Sequence, residues 1–314
     1  MRNSDEAAKG VWCISQRRLG DPEVLETVQV PMPIPGPGEV LLRLGATSVN
    51  PVDCKLRAGR VNFLGDPPFT LGFDVSGTVT EIGAGVTGMR RGDDVFGMVH
   101  SRTGTYSEFV IARADRLISH PPGLGHVTAA ALPTAALTAW QALDAADLKP
   151  DETVLVHAAA GGVGHLAVQF AERRGAQVIG TARGANHQFV RGLGAAEVVD
   201  YTTTDFTQAV DRVDVVLDLV GGEYGKRSLQ LLPDNGRYIT VQESDARGDS
   251  RFRMVAGRPS TATLTEIGIS VARGQVHVHV DRVMPMDEVR ESHRLSESGR
   301  VRGKLVLTPL QLTS

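Results

Sequence analysis

The apolar residues of this 314-residue chain are spaced differently in its first 130 residues and in the part that follows. In the first part they form short β-branched runs, such as 39–44, 77–82 and 94–98, between clusters of Gly, Pro and Asp. Runs of this kind between turn residues are typical of β-strands, so this region is predicted to be all-β. A helix is predicted at 133–149, because Pro133 is suited to a first helical turn.

From residue 153, strand-like and helix-like segments alternate. The predicted strands are 153–157, 177–181, 198–199, 214–219 and 237–241, and the predicted helices are 163–174, 188–193, 204–212 and 224–232. This alternation predicts a parallel sheet with helices on both faces. Residues 276–280 and 305–307 are predicted to return to β-structure around a helix at 287–297. We therefore expect an α/β protein in which a parallel-sheet domain is inserted into a mostly β domain.

Three glycines separate the first strand of the alternating region from its first helix, in the sequence AAAGGVG (158–164). The pattern Ala159-x-Gly161-x-x-Gly164 is one glycine short of the common dinucleotide fingerprint. Gly161 and Gly162 would let the backbone approach a pyrophosphate, and Gly164 would let the helix pack closely on the strand. A plain tight turn is the alternative, but the position between a strand and a helix of an alternating series favours dinucleotide binding.

The end of the second strand indicates which dinucleotide is bound. An acidic residue there would hold the ribose 2′-hydroxyl of NAD, whereas this chain has Gly180-Thr181-Ala182-Arg183-Gly184. No carboxylate is present in that segment to repel a 2′-phosphate, and the planar Arg183 cation is suited to binding one. The sequence therefore favours NADP(H) over NAD(H), the alternative being that Arg183 is a solvated loop residue.

Composition excludes several other classes of protein. The net charge is −3 and the basic residues form no long run, which argues against nucleic acid as a partner. The segment MRNSDEAAKG (1–10) lacks the apolar core of a signal peptide, and the longest uncharged stretch, 127–143, is interrupted by Pro133 and is a poor membrane span. The two cysteines, Cys13 and Cys54, allow at most one disulfide, so a cytoplasmic location is expected.

Several motifs together resemble the zinc-independent quinone oxidoreductases, the branch of the medium-chain dehydrogenase/reductase superfamily that includes zeta-crystallin. They are TSVNPVDCKLRAG (47–59), FTLGFDVSGTVTEIGAGVTGMRRGDDVFGM (69–98), GTYSEFV (104–110), AAALPTAALTAWQAL (129–143), HAAAGGVG (157–164) and GKLVL (303–307). The resemblance covers nearly the whole chain in the family's order. It implies a GroES-like β domain at 1–132 and 276–314 and a Rossmann domain, a doubly wound parallel sheet, at 133–275. It also implies a homodimer.

The implied activity is NADPH-dependent reduction of a quinone or another α,β-unsaturated carbonyl compound (an enone). An enoyl-thioester reductase on the same fold is one alternative, although no basic run is present to bind the phosphates of coenzyme A. A crystallin- or RNA-binding-type role, with NADPH bound and incidental turnover, is another. The intact glycine loop is compatible with each of these functions, so an assay is needed to separate them.

The metal-binding motifs of zinc-bearing relatives are altered in this chain. Those relatives carry Cys-x-x-Asp and Gly-His-Glu, where this sequence has Asn50-Pro51-Val52-Asp53 and Gly72-Phe73-Asp74. A catalytic zinc needs about three protein ligands, and two of the expected ones are replaced. Two cysteines are also too few for a structural four-cysteine site. No metal site is predicted.

The resemblance further implies a set of cofactor contacts. Asn50 is expected at the nicotinamide end, Arg183 at the adenosine ribose and Tyr201 near the adenosine phosphate. The full implied set is Asn50, Thr138, Ala160, Gly161, Gly162, Val163, Thr181, Ala182, Arg183, Tyr201, Val220, Val241 and Lys304. Asn50 and Lys55 are the candidate catalytic residues, as donors to the substrate oxygen. Lys55 stands where several relatives have a tyrosine, so a mechanism that needs that tyrosine does not carry over.

Other polar residues have structural explanations that compete with functional ones. His277 and His279 would share one face of the predicted strand at 276–280, but no third metal ligand is evident. His157 and His165 flank the glycine loop at positions that structure alone explains. Asp53 is expected to make a structural hydrogen bond, and nothing near Cys54 predicts a lowered thiol pKa. His100 follows the apolar run 94–98 in a loop and is a candidate substrate contact.

Overall fold

The computed structural model describes residues 10–310, so nearly all of the segment 1–10 discussed above lies outside the described residues. Contacts between residues divide the chain into two compact units. The first unit contains the described residues up to Thr134, the segment Pro259–Arg273 and the described residues from Val280 onward. The second unit contains Ala135–Arg258 and Gly274–His279. The domain boundaries predicted from the sequence, 1–132, 133–275 and 276–314, stay predictions.

The elements are numbered in chain order. The strands are β1 Val11–Gln16, β2 Glu26–Val30, β3 Glu39–Val49, β4 Phe69–Thr70, β5 Asp74–Ile82, β6 Asp94–Met98, β7 Phe109–Arg113, β8 Leu117–Ser119, β9 Thr153–Val156, β10 Gln177–Ala182, β11 Glu197–Asp200, β12 Val215–Asp218, β13 Arg237–Thr240, β14 Phe252–Met254, β15 Val280–Pro285 and β16 Lys304–Thr308. The helices are α1 Pro51–Arg57, α2 His126–Ala130, α3 Pro133–Ala145, α4 Gly164–Arg173, α5 His187–Gly192, α6 Phe206–Ala209, α7 Tyr224–Leu229, α8 Thr261–Ala272 and α9 Val289–Glu297.

The first unit is built around strand β3. It belongs to a seven-stranded sheet in the order β15-β16-β3-β5-β6-β8, with β7 also paired to β3. All these pairings are antiparallel except β15 with β16. Strands pair along both edges of β3, and most of its side chains are buried. A three-stranded sheet in the order β2-β1-β4 completes the strands of this unit. The GroES-like β fold expected from the sequence is confirmed.

The second unit contains the parallel sheet that the alternating pattern predicts. Its strand order is β11-β10-β9-β12-β13-β14, and every neighbouring pair is parallel. This is the 3-2-1-4-5-6 order of the Rossmann fold. The order reverses between β9 and β12, and ligands of such sheets bind at the carboxyl ends of the strands beside that reversal. The glycine loop follows β9, so it lies at this point.

One predicted strand is wrong. Residues 276–280 are irregular except for Val280, where β15 begins. The backbone of His277 pairs with a side chain instead of a strand: its N–H donates to Gln169 Oε1 at 2.7 Å, and its carbonyl accepts from Gln169 Nε2 at 2.9 Å. His277 and His279 therefore do not form a pair on one strand face.

Other elements differ in extent or were not predicted. The helix expected at 204–212 is only Phe206–Ala209, and its first turn is capped by the Asp205 carboxylate. Helix α1, helix α8 and the edge strand β14 were not predicted. In residues 10–310, no helix combines the length and apolar composition required to cross a membrane.

Candidate active site

The glycine loop, residues 157–163, is held tightly between β9 and α4. Ala158 has a φ of 52°, a left-handed conformation unusual for a residue with a side chain. The Ala159 N–H donates to the Thr181 carbonyl at 3.0 Å, which fastens the loop to β10. A Cβ added at Gly164 would lie 2.2 Å from the Ala158 carbonyl oxygen, so only glycine lets α4 begin this close to the loop. The prediction that Gly164 permits close packing is confirmed.

The loop also presents backbone donors. The N–H groups of Gly162 and Val163 have no acceptor among the described residues, and both residues are half-buried. They directly precede α4, where the helix dipole favours a negative charge. Gly161 instead turns inward, since its carbonyl accepts from the backbone N–H of His165 at 3.0 Å and contacts the His165 ring at 2.9 Å. This arrangement fits the diphosphate of a dinucleotide.

His157 stabilises the glycine loop through hydrogen bonds, and its imidazole is uncharged at neutral pH. Its ring is fully buried, and burial lowers its pKa to about 4. Ser228 donates to the Tyr224 carbonyl at 2.7 Å, so the Ser228 oxygen accepts from His157 Nε2–H at 2.9 Å. Nδ1 of His157 then accepts from the Thr181 hydroxyl at 3.2 Å, and that hydroxyl oxygen accepts from the Ala158 N–H at 3.3 Å. His157 and Thr181 thus hold the loop in place.

Arg183 and Tyr201 meet where β10 and β11 end. Arg183 Nε donates to the Tyr201 hydroxyl at 2.9 Å, and the guanidinium carbon lies 6.0 Å from the centre of the Tyr201 ring. The two terminal amino groups of Arg183 have no partner among the described residues, so they are available to a phosphate. Ala182, which lies between Thr181 and Arg183 in the chain, is buried.

A carboxylate that sequence reasoning missed lies at the same edge. Asp200, the last residue of β11, accepts from the Gly184 N–H at 2.7 Å and from the Thr202 hydroxyl and N–H at 2.6 Å and 2.9 Å. The Thr202 contacts in particular lower the pKa of Asp200, so it is ionised at neutral pH. The sequence argument considered only the end of the second strand, whereas this group follows the third. Its hydrogen bonds fix the turn that carries Arg183.

The remaining predicted contacts of the second unit lie after β12, after β13 and on α3. Val220 is 44% exposed, and its N–H donates to Asp218 Oδ1 at 2.8 Å. Val241 is half-buried, and its N–H donates to the Asp218 carbonyl at 3.4 Å. Both therefore lie at the same sheet edge as the glycine loop. Thr138 is buried on α3, where a Cβ at Gly257 would come within 2.3 Å of its hydroxyl.

The first unit contains a buried polar cluster around the Asp74 carboxylate. Oδ2 accepts from Ser48 Oγ at 2.5 Å and from Asn50 Nδ2 at 2.9 Å, and Oδ1 accepts from the Thr134 N–H at 2.8 Å and hydroxyl at 2.6 Å. The Lys304 ammonium donates to Asn50 Oδ1 at 2.5 Å and lies 3.7 Å from Asp74 Oδ2. Burial lowers the pKa of Lys304, and the Asp74 charge opposes this.

This cluster fixes the Asn50 side chain in one orientation. The amide oxygen must face the Lys304 ammonium, and the amide nitrogen must face the Asp74 carboxylate. One amide N–H is then used by Asp74, and the second has no acceptor among the described residues. Lys304, predicted to contact the cofactor, is 3% exposed at this position. Sequence reasoning identified Asn50 and Lys304 separately but gave no sign that they meet.

Asp53 shapes the turn that carries Asn50. Its Oδ2 accepts from the Asn50 N–H at 2.8 Å, and its Oδ1 accepts from the Gly72 N–H at 2.9 Å. Burial raises the pKa of Asp53 to about 7, although both N–H donors act against the shift. The structural hydrogen bond expected of Asp53 is confirmed. Lys55 lies half-buried two residues further along α1.

Cys54 is also explained by its surroundings. It is buried, and burial raises the pKa of its thiol to about 12, so it is not a reactive thiolate.

Within residues 10–310, no group of three or more His, Cys, Asp or Glu side chains is arranged to hold a metal ion. Phe73 occupies the middle of the Gly-Phe-Asp motif and is buried.

Known protein families match segments of both units of the chain. Residues 36–122 match the family described as alcohol dehydrogenase GroES-like domain, and residues 193–307 match the family described as zinc-binding dehydrogenase. A chloroplast envelope quinone oxidoreductase homolog of Arabidopsis thaliana is 34% identical over 309 residues, covering 91% of this chain and 94% of that protein. The chain belongs to the quinone oxidoreductase branch of the medium-chain dehydrogenase/reductase superfamily.

Solved structures of quinone oxidoreductases share the whole fold. The enzyme from Coxiella burnetii superimposes with a TM-score of 0.91 at 36% identity, covering 96% of this chain and 99% of that one. The Escherichia coli quinone oxidoreductase, solved in complex with NADPH, superimposes with a TM-score of 0.84 at 27% identity, covering 95% and 100%. This chain is therefore a nicotinamide-dependent oxidoreductase of the superfamily.

Proposed function

We propose that this enzyme transfers a hydride from NADPH to a quinone or another α,β-unsaturated carbonyl compound without a metal ion. The balanced reaction for a quinone converts quinone, NADPH and one proton into hydroquinone and NADP⁺. The reduced nicotinamide, when bound, supplies the hydride, and the protein must hold donor and acceptor in line. The Arabidopsis relative and both solved relatives carry quinone oxidoreductase in their names, which supports the substrate class.

The observation that carries the proposal is the orientation of the Asn50 amide. Negative charge develops on the substrate oxygen as the hydride is transferred, and a preorganised N–H donor stabilises that charge. The second amide N–H of Asn50 has no competing acceptor among residues 10–310, and the amide is locked by Lys304 and Asp74. Lys55, on the helix α1 that directly follows Asn50, is the second proposed donor to the substrate oxygen.

The cofactor is proposed to be NADP(H) because of Arg183. Its two terminal amino groups are unpaired within the described part of the chain, and they lie beside Tyr201 at the carboxyl ends of β10 and β11. The diphosphate is proposed to bind the N–H groups of Gly162 and Val163, with Ala160 and Gly161 in the same loop. The NADPH complex of the Escherichia coli relative supports this choice. The homodimer and the cytoplasmic location stay predictions.

A substrate panel tests this function. NADPH oxidation is followed with quinones, acyclic enones and enoyl thioesters as acceptors, and each rate is compared with the rate without acceptor. Turnover of quinones or enones at a kcat/KM above that of enoyl thioesters supports the proposal. Faster turnover of enoyl thioesters would assign the alternative reductase activity, and binding of NADPH without turnover of any acceptor would contradict an enzymatic role.

A further inference from the structure

Three aromatic rings lie in a row beside the Asn50 cluster in the first unit. Phe73 is in the middle, with the Phe63 ring centre at 5.9 Å and the His100 ring centre at 5.3 Å. Phe63 is tilted by 47° to Phe73, and His100 meets Phe73 edge-on at 78°. We call Phe63, Phe73 and His100 the aromatic row. Its geometry is that of favourable aromatic pairs.

Only the middle ring of the row is buried. Phe73 is 2% exposed, whereas the Phe63 side chain is 62% exposed and His100 is also exposed. The two outer residues thus each expose a ring to solvent on either side of Phe73 in the contact series. An apolar ring beside a group that can form hydrogen bonds offers the two kinds of contact that ligand sites combine.

His100 has unused hydrogen-bonding capacity. Neither of its ring nitrogens has a hydrogen-bond partner among the described residues, and its ring packs edge-on against Phe73. Although part of His100 is exposed, partial burial of the ring, followed by the nearby Arg116 charge, lowers its pKa, so the ring is neutral near pH 7. A neutral imidazole offers one N–H donor and one acceptor nitrogen.

The row adjoins the Asn50 cluster through the backbone. Phe73 directly precedes Asp74, whose carboxylate holds the Asn50 amide. The Phe73 carbonyl accepts from the Val99 N–H at 2.6 Å, which places His100, the next residue, beside the start of β5. Phe73, which contacts both outer rings, and the residue before His100 are therefore linked to the segment whose next residue, Asp74, holds the Asn50 amide.

We propose that the aromatic row is the substrate platform and selects aromatic quinones, with Phe63 against the flat face of the ring and His100 donating to a quinone oxygen. This proposal rests on the proposed reductase function. A quinone fits because it combines a planar apolar ring with two carbonyl oxygens, and the row supplies a stacking surface with a neutral donor at its edge. A small acyclic enone has no ring to stack and gains nothing from Phe63.

Substitution of Phe63 tests the stacking contact. The kcat/KM values for 1,4-naphthoquinone and 3-buten-2-one are measured for wild type, Phe63→Ala, Phe63→Tyr and the control Ile34→Ala, whose side chain is 77% exposed elsewhere in the unit. We expect Phe63→Ala to lower the naphthoquinone-to-butenone ratio about tenfold, equivalent to about 1.4 kcal/mol. Phe63→Tyr should keep the ratio within about twofold, and Ile34→Ala should leave it at the wild-type value.

Substitution of His100 tests the donor. His100→Gln keeps an N–H group and should retain most of the preference for naphthoquinone, whereas His100→Phe keeps a ring and should lose it by about tenfold. Thermal melts of all variants verify folding, which the exposure of both residues favours. Equal losses for both acceptors, or no change in the ratio, would overturn the proposal.

Two further outcomes separate this proposal from its premise. If wild type reduces neither acceptor, the reductase function itself fails. If wild type reduces both acceptors and Phe63→Ala changes only the elution volume in gel filtration, Phe63 is a subunit contact and the row is not the substrate platform.

Discussion

The side chains of Asn50 and Lys304 meet at 2.5 Å although 254 residues separate them in the chain. This contact brings the N-terminal end of α1 and the first residue of β16 together over the Asp74 carboxylate. It determines which way the Asn50 amide faces, and it gives a buried carboxylate its only cation within 4 Å among the described residues. The stability of the unit and the orientation of the proposed substrate donor therefore depend on the same ammonium.

Replacement of Lys304 by methionine is expected to destabilise the protein by about 3 kcal/mol, because Asp74 would remain buried without its cation. Urea unfolding measures the loss. Lys226→Met, at an exposed lysine of α7, is the control and should change stability by less than about 0.5 kcal/mol. The double variant Lys304→Met/Asp74→Asn should lose less than the sum of the single changes. Additive losses would show that the pair is not coupled.

Replacement of Arg183 by alanine is expected to reduce the preference for NADPH over NADH. We expect wild type to bind NADPH at least about tenfold more tightly, or about 1.4 kcal/mol, and the variant to lose most of this difference while binding NADH normally. Fluorescence titration gives both dissociation constants. Arg191→Ala, at an exposed arginine of α5, is the matched control. Equal affinities of wild type for the two cofactors would remove the role assigned to Arg183.

Replacement of Gly162 by aspartate is expected to abolish NADPH binding in a protein that still folds. The new carboxylate would face the cofactor diphosphate at the start of α4, where an anion must bind. Gly162 is not among the positive-φ glycines, so a side chain there causes no left-handed backbone strain. Titration with NADPH and a thermal melt without cofactor are the measurements. Normal binding by a folded variant would mean that the loop is only a turn.

Gly164→Ala provides the contrasting variant. Here the added Cβ would lie 2.2 Å from the Ala158 carbonyl oxygen, so the cost falls on the fold itself. We expect a lower melting temperature without cofactor than for Gly162→Asp. A variant as stable as wild type would show that the loop relaxes easily.

Acid is expected to destabilise the protein partly through His157. Burial lowers the pKa of His157 to about 4, whereas an unfolded histidine has a pKa near 6.5. Neutral His157 makes its full contribution to the free energy of unfolding above pH ~6.5. This contribution is lost as the pH falls towards ~4, by at most about 1.4 kcal/mol per pH unit. His157→Gln should therefore reduce the difference in unfolding free energy between pH 7 and pH 5 by about 2 kcal/mol. His277→Gln, at an exposed histidine, is the matched control substitution.

Asp53 is expected to change the pH dependence of stability in the direction opposite to that of His157. Its folded pKa of about 7 exceeds the unfolded value, so its contribution is complete below pH ~4 and is lost as the pH rises through about 7. Asp53→Asn should thus make the loss of stability between pH 7 and pH 5 steeper than in wild type. An unchanged slope in urea unfolding would show that Asp53 does not titrate in this range.

Dialysis against a strong chelator is expected to leave turnover intact, because Asn50 and Phe73 replace two ligands of the zinc-bearing relatives. Elemental analysis before and after dialysis accompanies the assay. One tightly bound zinc per chain, with activity lost on its removal, would contradict this expectation.

The sequence predicts well what depends on neighbouring residues. The glycine loop and the strand–helix alternation were recognised because their spacing follows directly from backbone geometry. The strand order with its reversal between β9 and β12 depends on long-range pairing, which no local pattern encodes. The order came only through the family resemblance.

The features that the sequence did not predict also depend on contacts between residues far apart in the chain. The run 276–280 alternates like a strand, but the Gln169 side chain satisfies the His277 backbone in place of a neighbouring strand. Asp200 was missed because it approaches Gly184 from a different strand. For Lys304, the motif indicated a functional position, whereas its contact with Asn50 required the pairing of β16 with β3.

The pairing of β16 with β3 also constrains how the protein is made. Val306 lies opposite Ser48, so the strand that carries Lys304 is added to a partner synthesised some 250 residues earlier. Until residue 304 leaves the ribosome, the nascent first unit has no cation for Asp74 and an open edge along β3. Its sheet can therefore close only after β16 has been synthesised, whereas the parallel sheet, encoded between β9 and β14, can form earlier.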